Sequence, residues 1–109
     1  MTTDSSPGVA ITADAAPPQL DAALPSTIDE AVALANATPY GLGASVWSRD
    51  NARALTVGRR IDSGALFINA NTASDPRLPF GGVKQSGYGR ELGEAGGTEF
   101  TNIRTVLVG

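Results

Sequence analysis

The residues with the clearest chemical potential lie in one stretch, Leu78 to Gly93, which reads LPFGGVKQSGYGRELG. It holds the only lysine of the chain, Lys84, together with Ser86 and five glycines. Glycine reaches backbone torsions that other residues adopt only at a cost, so this composition predicts a shaped loop and not a strand or a long helix. Loops of this kind commonly border a binding or catalytic site.

The loop matches none of three general motifs that depend on glycine. A phosphate-binding P-loop requires Gly before and Ser or Thr after its lysine, whereas Val83 and Gln85 flank the lysine here. A dinucleotide fingerprint that starts at Gly87 requires a preceding strand and a glycine at position 92, where Leu92 stands. A nucleophile elbow around Ser86 requires glycine at the position of the lysine. These motifs therefore assign the loop no chemistry.

The composition of the chain excludes several kinds of catalytic and binding site. The 109 residues contain no cysteine and no histidine, so they supply no thiolate nucleophile, no disulfide and no thiolate or imidazole metal ligand. A chain of this length forms one small domain at most. The formal charge of -3 comes from Asp4, Asp14 and Asp21, because acidic and basic residues balance from Ser26 onward. A neutral body with dispersed arginines argues against a nucleic-acid partner.

Met1 to Pro25 differs in composition from the rest of the chain. It has no Lys or Arg and no sustained apolar run, which is not typical of a signal peptide or a transmembrane span. Its four prolines and its lack of periodicity predict a disordered tail over residues 1–25, followed by a body over residues 26–109. By default we expect a cytoplasmic protein without a membrane partner.

The body begins with an alternation of helix and strand, which predicts an α/β fold. Thr27 and Glu30 form a capping-box pattern that predicts a helix from Ile28 to about Ala37. A strand follows over Gly43 to Trp47. A second helix is expected over Asp50 to Ile61, capped by Ser48, with an apolar face of Ala52, Ala54 and Leu55 and a stop at Gly64.

The second half of the body continues this pattern. The apolar run Ala65 to Ile68 predicts a strand that is covered on both faces, and with the preceding strand and helix it completes one βαβ unit. Asn69 opens a long loop that extends to Gly89, and Arg90 to Ala95 can form a turn or short helix. Glu99 to Val108 alternates in polarity, which predicts a terminal strand.

The loop residues Pro79-Phe80-Gly81-Gly82, Lys84, Ser86-Gly87 and Gly89 to Gly93 resemble the carboxyl-terminal signature of the NAD(P)-dependent aldehyde dehydrogenase superfamily. The resemblance extends over roughly residues 27–108, and Ala73 to Arg77 is similar to the succinate-semialdehyde dehydrogenase branch. It implies a partial catalytic domain with one βαβ unit, the glycine-rich loop and a terminal oligomerisation strand. It also implies a partner bound through Glu99 to Val108, either a second copy or the remaining part of an aldehyde dehydrogenase.

Aldehyde oxidation in that superfamily uses a cysteine thiolate, a general-base glutamate and NAD or NADP. The cysteine is absent here, and Glu30, Glu91, Glu94 and Glu99 match no catalytic glutamate of the family pattern. We therefore expect no catalytic, cofactor-binding or metal-binding residue in this chain and no turnover by the chain alone.

Two residues are candidates for contact with a substrate. The resemblance implies that Phe80 lines the aldehyde channel, although an aromatic residue beside glycines can equally anchor the loop. It also implies that Ser74 binds a substrate carboxylate, whereas Ser-Asp-Pro is in itself ordinary turn chemistry. Lys84, Ser86 and Arg90 are expected to brace the loop.

Two classes of function follow from the sequence. The chain is either the carboxyl-terminal portion of an aldehyde dehydrogenase, with succinate semialdehyde as the expected aldehyde, or a non-enzymatic remnant that acts as an oligomerisation or interaction module. Gly97 departs from the family pattern, which has a large aliphatic residue there, and the missing side chain predicts a loss of about 2 to 3 kcal/mol of burial.

Overall fold

The computed structural model describes residues 2–3, 10–13 and 25–109, in which a mixed sheet with two helices carries the core. In chain order the elements are β1 (Thr2–Thr3), β2 (Ala10–Ala13), α1 (Ile28–Asn36), β3 (Tyr40–Gly41), β4 (Gly43–Trp47), α2 (Asn51–Gly58), β5 (Ala65–Ile68), β6 (Val83–Lys84) and α3 (Gly93–Glu99). The main sheet has the order β1-β2-β4-β5, and β3 pairs with β6 in a second, two-stranded sheet.

The first helix forms where its capping box predicts. The Thr27 hydroxyl accepts a hydrogen bond from the Glu30 backbone N–H at 3.1 Å. The Glu30 carboxylate in turn accepts from the backbone N–H of Ser26 at 2.8 Å and from its hydroxyl at 2.9 Å, and these bonds lower the pKa of Glu30. Ala31 and Val32 are buried on the inner face, as the helical spacing predicts.

The second helix differs from its prediction at both ends. Its N-cap is Asp50, whose carboxylate accepts from the Arg53 backbone N–H at 3.1 Å, and not Ser48. The helix ends at Gly58, well before Gly64, and its buried residues are Ala54, Val57 and Gly58. The predicted helix continues three residues further, to Ile61, which is buried beyond the end of the observed helix.

The predicted βαβ unit is confirmed. β4 and β5 pair in parallel, from Gly43 opposite Ala65 to Val46 opposite Ile68, with α2 between them in sequence. Ala44 and Val46 share one face of β4 and pack with Ala31, Val32, Ala54, Val57 and Ile61. β4 is buried from Gly43 to Val46 on both faces, whereas β5 is only half-buried. The prediction that β5 is covered on both faces is therefore wrong for the described chain, in which β5 forms the edge of the sheet.

The prediction of a disordered tail over residues 1–25 does not hold for the two stretches of it that form strands. Ala10–Ala13 pairs antiparallel with β4, from Ala10 opposite Trp47 to Ala13 opposite Ala44, and Thr2–Thr3 pairs with Ala10–Ala13. Four residues without a visible period can form a strand where the open edge of a buried strand offers a complete ladder of backbone partners. The other residues of 1–24 lie outside the described part of the chain.

The predicted terminal strand is absent from the described residues. Glu99 ends α3, and residues 102–109 have no regular secondary structure. Phe100, Ile103 and Leu107 are at least nine-tenths exposed. A strand needs a neighbour for its backbone hydrogen bonds, and the described part of this chain offers none to this segment.

No helix within the described residues is long and apolar enough to cross a membrane.

Candidate functional site

A pocket of about 550 Å³ opens beside β5, between the strand and the loop that follows it. We call it the β5 pocket. It is lined by Gly64, Ala65, Leu66, Phe67, Ala70, Asn71, Ala73, Ser74, Asp75, Leu78, Pro79 and Phe80. The wall is mainly apolar, with a few polar groups on the loop side, which is the usual character of a small-molecule site.

Phe80 lies in the wall of the β5 pocket and is half-buried. Its backbone N–H donates to the Glu91 carbonyl and its carbonyl accepts from the Glu91 N–H, both at 2.7 Å. Phe80 also lines a second pocket of about 350 Å³ on the other side of the loop. These two hydrogen bonds fix the backbone of Phe80 to the far end of the loop, and its aromatic ring remains available to line the pocket.

Ser74 lies in the same wall, in an exposed turn. The turn is closed by a hydrogen bond from the Leu78 N–H to the Asp75 carbonyl at 2.9 Å, and by one from the Arg77 N–H to the Asp75 carboxylate at 2.9 Å. These bonds are the turn chemistry that Asp-Pro favours. Ser74 and Phe80 therefore line the same pocket, which two residues must do if they are to contact the same substrate.

Asp75 and Arg77 form a clamp beside Ser74 that the sequence analysis did not identify. Arg77 Nε donates to Asp75 Oδ1 at 2.9 Å and Arg77 Nη2 donates to Oδ2 at 2.6 Å. The side-chain bonds from Arg77, and then its backbone N–H, lower the pKa of Asp75, and the same pairing raises the pKa of Arg77. The signal for it was the Asp-Pro-Arg turn, which places the two charges two residues apart on one side.

Three polar side chains of the glycine-rich loop, those of Lys84, Ser86 and Arg90, brace it, as predicted. The Ser86 hydroxyl accepts from the Gly41 N–H at 2.8 Å. Arg90 Nη1 donates to the Gly82 carbonyl at 2.9 Å and to the Gly89 carbonyl at 2.7 Å. Lys84 Nζ donates to the Asn36 carbonyl at 2.9 Å and lies 3.3 Å from the Asp62 carboxylate. Each group is engaged with protein atoms and is not presented to a ligand.

Asn69 fixes the junction between β5 and the loop. Its φ of 53° lies in the left-handed region that asparagine tolerates better than most residues. Its amide oxygen accepts from the Ser48 N–H, and its amide nitrogen donates to the Ser48 carbonyl and to Asn51 Oδ1, each at 2.8 Å. Ser48 and Asn51 flank the start of α2, so one side chain sets the direction in which the loop leaves the sheet.

Gly64 has a different role from the helix stop that was expected. A Cβ at this position would overlap the Gly81 carbonyl oxygen, because the glycine-rich loop crosses the start of β5 there. Only glycine allows this approach of the two backbones. The loop is thereby held against β5, which closes one side of the β5 pocket.

The glycine-rich loop does not fit the pyrophosphate of a nicotinamide dinucleotide. Such a cofactor needs free backbone N–H groups at a glycine turn or a helix N-terminus for its pyrophosphate. Here Gly81 and Gly82 pack closely on Gly89, Arg90 and Ser86, and the basic groups Lys84 and Arg90 are bonded to backbone carbonyls. The described residues also contain no group of three or more Asp, Glu, His or Cys that could hold a metal ion.

Comparison with known proteins agrees with this arrangement. The sequence profile described as the Aldehyde dehydrogenase family matches residues 22–106. The chain belongs to the aldehyde dehydrogenase family. A probable succinate-semialdehyde dehydrogenase [NADP(+)] of Synechocystis is 53% identical over 81 residues, and a succinate-semialdehyde dehydrogenase [NADP(+)] 1 of Mycobacterium ulcerans is 54% identical over 82 residues. These alignments cover 74% and 75% of this chain, and 18% of each relative.

Solved members of the aldehyde dehydrogenase family share the fold. The succinic semialdehyde dehydrogenase of Streptococcus pyogenes, in complex with NADP+, superimposes with a TM-score of 0.74 at 44% identity over 78% of this chain. A salicylaldehyde dehydrogenase of Pseudomonas putida G7, in complex with salicylaldehyde, gives 0.71 at 39% identity over 74% of this chain. The matches cover 19% and 17% of those chains. This aldehyde dehydrogenase chain therefore spans about a fifth of its relatives and adopts the same α/β structure as that part of them.

Proposed function

We propose that residues 25–109 form one wall of the aldehyde channel of a succinate-semialdehyde-type dehydrogenase, which oxidises the aldehyde to the acid with NAD or NADP. The observation that carries the proposal is the β5 pocket, where Phe80 and Ser74 meet from separate parts of the loop. Similarity to relatives named as succinate-semialdehyde dehydrogenases supports the choice of substrate.

In this proposal the chain positions the substrate and other segments perform the chemistry. Oxidation of an aldehyde to an acid needs a nucleophile for the carbonyl, a base that activates water and an acceptor for the hydride. The 109 residues contain no cysteine, and the glycine-rich loop does not fit a cofactor pyrophosphate. The chain's own contribution is a shaped apolar wall from Phe80 and a hydroxyl at Ser74 that can donate to a substrate carboxylate.

Activity measurements on the isolated and the complemented chain test this division of labour. The purified 109-residue chain, given succinate semialdehyde and NADP+ or NAD+, is expected to reduce neither cofactor above the blank. Co-expression with the Synechocystis relative from which the aligned 81 residues are deleted should restore NADP+ reduction. Turnover by the isolated chain, free of host enzyme, would contradict the proposal, as would an intact complex of the two chains without activity.

A second candidate function is an interaction module at the carboxyl terminus. We propose that residues 100–109 add a strand to the sheet of a second copy of this chain or of the remaining part of an aldehyde dehydrogenase domain. The supporting observation is the exposure of Ile103 and Leu107 at 96% and 91% in residues 102–109, which have no regular secondary structure. Apolar side chains that share one face of an unpaired segment, as Ile103 and Leu107 do at period two, are typical of strand addition.

Light scattering on a sizing column tests the interaction module. Wild-type chain is expected to increase in mass with concentration, and Ile103→Lys should shift it towards monomer because it places a charge on the apolar face of the added strand. Asn102→Lys adds the same charge one residue earlier, on the opposite face, and should leave the mass unchanged. A compact monomer at high concentration of the wild-type chain refutes the module.

A further inference from the structure

We infer that the Asp75–Arg77 clamp sets the charge preference of the β5 pocket, with Arg77 acting as a specificity-determining residue that admits aldehydes carrying a carboxylate. The inference rests on the proposed function, since it concerns the substrate class of the same pocket. It assigns a role to the side chains of two charged residues beside the apolar wall, in addition to the hydrogen bond by which they close the turn.

The starting observation is the charge inventory of the pocket. Of the described residues that line it, Asp75 alone is ionisable. Its side chain is 32% exposed, so its carboxylate is not sealed in the protein. The only fixed charge in the pocket wall is therefore negative. By itself, it would repel a substrate carboxylate and favour a neutral or cationic aldehyde.

Arg77 cancels that charge by a two-point contact. Its Nε and Nη2 bind the two oxygens of Asp75 at 2.9 and 2.6 Å, the parallel geometry in which guanidinium and carboxylate groups pair best. The Arg77 side chain is 86% exposed, so no other described group buries it. Guanidinium N–H groups beyond those two bonds remain directed to solvent, where they can meet an incoming carboxylate.

The charges of Asp75 and Arg77 can be removed without unfolding the turn. The Asp75 carboxylate also accepts from the Arg77 backbone N–H, and an asparagine oxygen can accept the same bond. Asp75→Asn should therefore keep the turn while removing the charge. Arg77 is exposed, so Arg77→Gln should remove the guanidinium without disturbing the core. The two single variants and the double variant form a matched set in which each charge is removed alone and together with the other.

The test uses two probes that differ only in charge, 4-hydroxybutanoate and its neutral isostere 4-hydroxybutanamide. The alcohol stands for the aldehyde end and avoids reaction with Lys84. Binding to the full 109-residue chain is followed by NMR shifts of the backbone amides of Ala73, Ser74 and Phe80. The quantity of interest is the ratio of the dissociation constants of the two probes, which isolates charge from shape.

For Arg77→Gln we expect the affinity for the carboxylate probe to fall about three- to fivefold relative to that for the amide probe, because the negative charge of Asp75 is no longer neutralised. Asp75→Asn should raise the affinity for the carboxylate probe by a similar factor, and the double variant should have a ratio of dissociation constants near that of the wild type. An unchanged ratio in both single variants, with the amide probe still bound, overturns the inference and leaves the proposed pocket standing. If neither probe shifts those amides in any variant, the β5 pocket is not a substrate site and both proposals fail.

Discussion

Asn69 shows how much of the site depends on one side chain. It combines a left-handed backbone with three hydrogen bonds from its amide, which join the end of β5 to the start of α2. No other residue type satisfies both needs, since glycine accepts the backbone torsion without an amide and most other residues accept neither. The path of the loop past β5 follows from this junction.

Two substitutions at this residue separate the torsion from the hydrogen bonds. Asn69→Gly keeps the backbone and loses the amide, which should lower the free energy of unfolding by about 1 to 2 kcal/mol. Asn69→Ala loses both and should cost about 1 kcal/mol more, because alanine is strained at a φ of 53°. Urea unfolding measures the two values. Equal destabilisation by both variants would show that the backbone torsion costs nothing here.

The sequence predicted the residue contacts of the loop better than its chemistry. The bracing roles of Lys84, Ser86 and Arg90 are confirmed, because their places between glycines leave backbone carbonyls and N–H groups within reach. The clamp between Asp75 and Arg77 was not predicted. Charge pairing across two residues depends on the turn that brings them together, and the pattern of the sequence shows the turn without the direction of the side chains.

At the scale of elements, prediction succeeded where local signals agree with packing. α1 has a capping box and an apolar face, and both appear as expected. The apolar face of α2 is weak, and its apolar pattern continues beyond the end of the helix. The predicted cap and the predicted end of α2 were therefore both wrong. Whether β2 and the terminal segment become strands depends on a neighbour that is distant in sequence, which local patterns do not report.

The short helix α3 contains two adjacent glycines with opposite surroundings. A Cβ at Gly96 would lie 2.6 Å from the Glu91 carbonyl carbon, whereas a Cβ at Gly97 would meet nothing within 4 Å. The aliphatic side chain that the family pattern has at Gly97 would therefore find no neighbour within the described residues. The predicted loss of burial at this position has no counterpart in the chain as described.

Alanine at these two positions should act in opposite directions. Gly97→Ala removes backbone freedom in an open site and should slow hydrogen exchange of the α3 amides about threefold to fivefold, for a gain of up to about 1 kcal/mol. Gly96→Ala forces the helix away from Glu91 and should speed that exchange. The comparison is read from NMR exchange rates of the same amides. Faster exchange in Gly97→Ala would show that position 97 is crowded after all.

The strand β2 gives a prediction for residues 10–13. They pair with Ala44 to Trp47 of β4, so replacing all four by Gly-Ser-Gly-Ser should uncover that edge. We expect a loss of about 2 to 3 kcal/mol in the free energy of unfolding, from several backbone hydrogen bonds at about 0.5 to 1 kcal/mol each.

The control for this experiment is the same replacement at residues 15–18, outside the described strand. Thermal and urea unfolding of the two variants are compared with wild type. If the two replacements have equal effects, β2 contributes no specific pairing, and the disordered tail that the sequence predicted over residues 1–25 would be the better description.

At the scale of the whole molecule, the chain is a small α/β unit with open surfaces. Among the residues that the structure describes, Val46 is the largest side chain that is fully buried, β5 forms an edge of the sheet, and residues 100–109 are exposed. These features match the share of its relatives that it spans, about a fifth. The sequence predicted the α/β class from the alternation of helix and strand. It predicted the family from the glycine-rich loop, because that loop's spacing reflects close backbone contacts that few residue types permit.

The measurement that tests the account most directly is the activity of a chimera. The aligned 81 residues of the Synechocystis relative are replaced by their counterpart from this chain, and NADP+ reduction with succinate semialdehyde is measured. We expect kcat/KM within about tenfold of the parent enzyme, and a further loss of at least about tenfold in the chimera that carries Phe80→Ala, since that change removes the aromatic wall of the β5 pocket. A folded chimera that binds NADP+ without oxidising the aldehyde, or one that is indifferent to Phe80→Ala, would contradict the account.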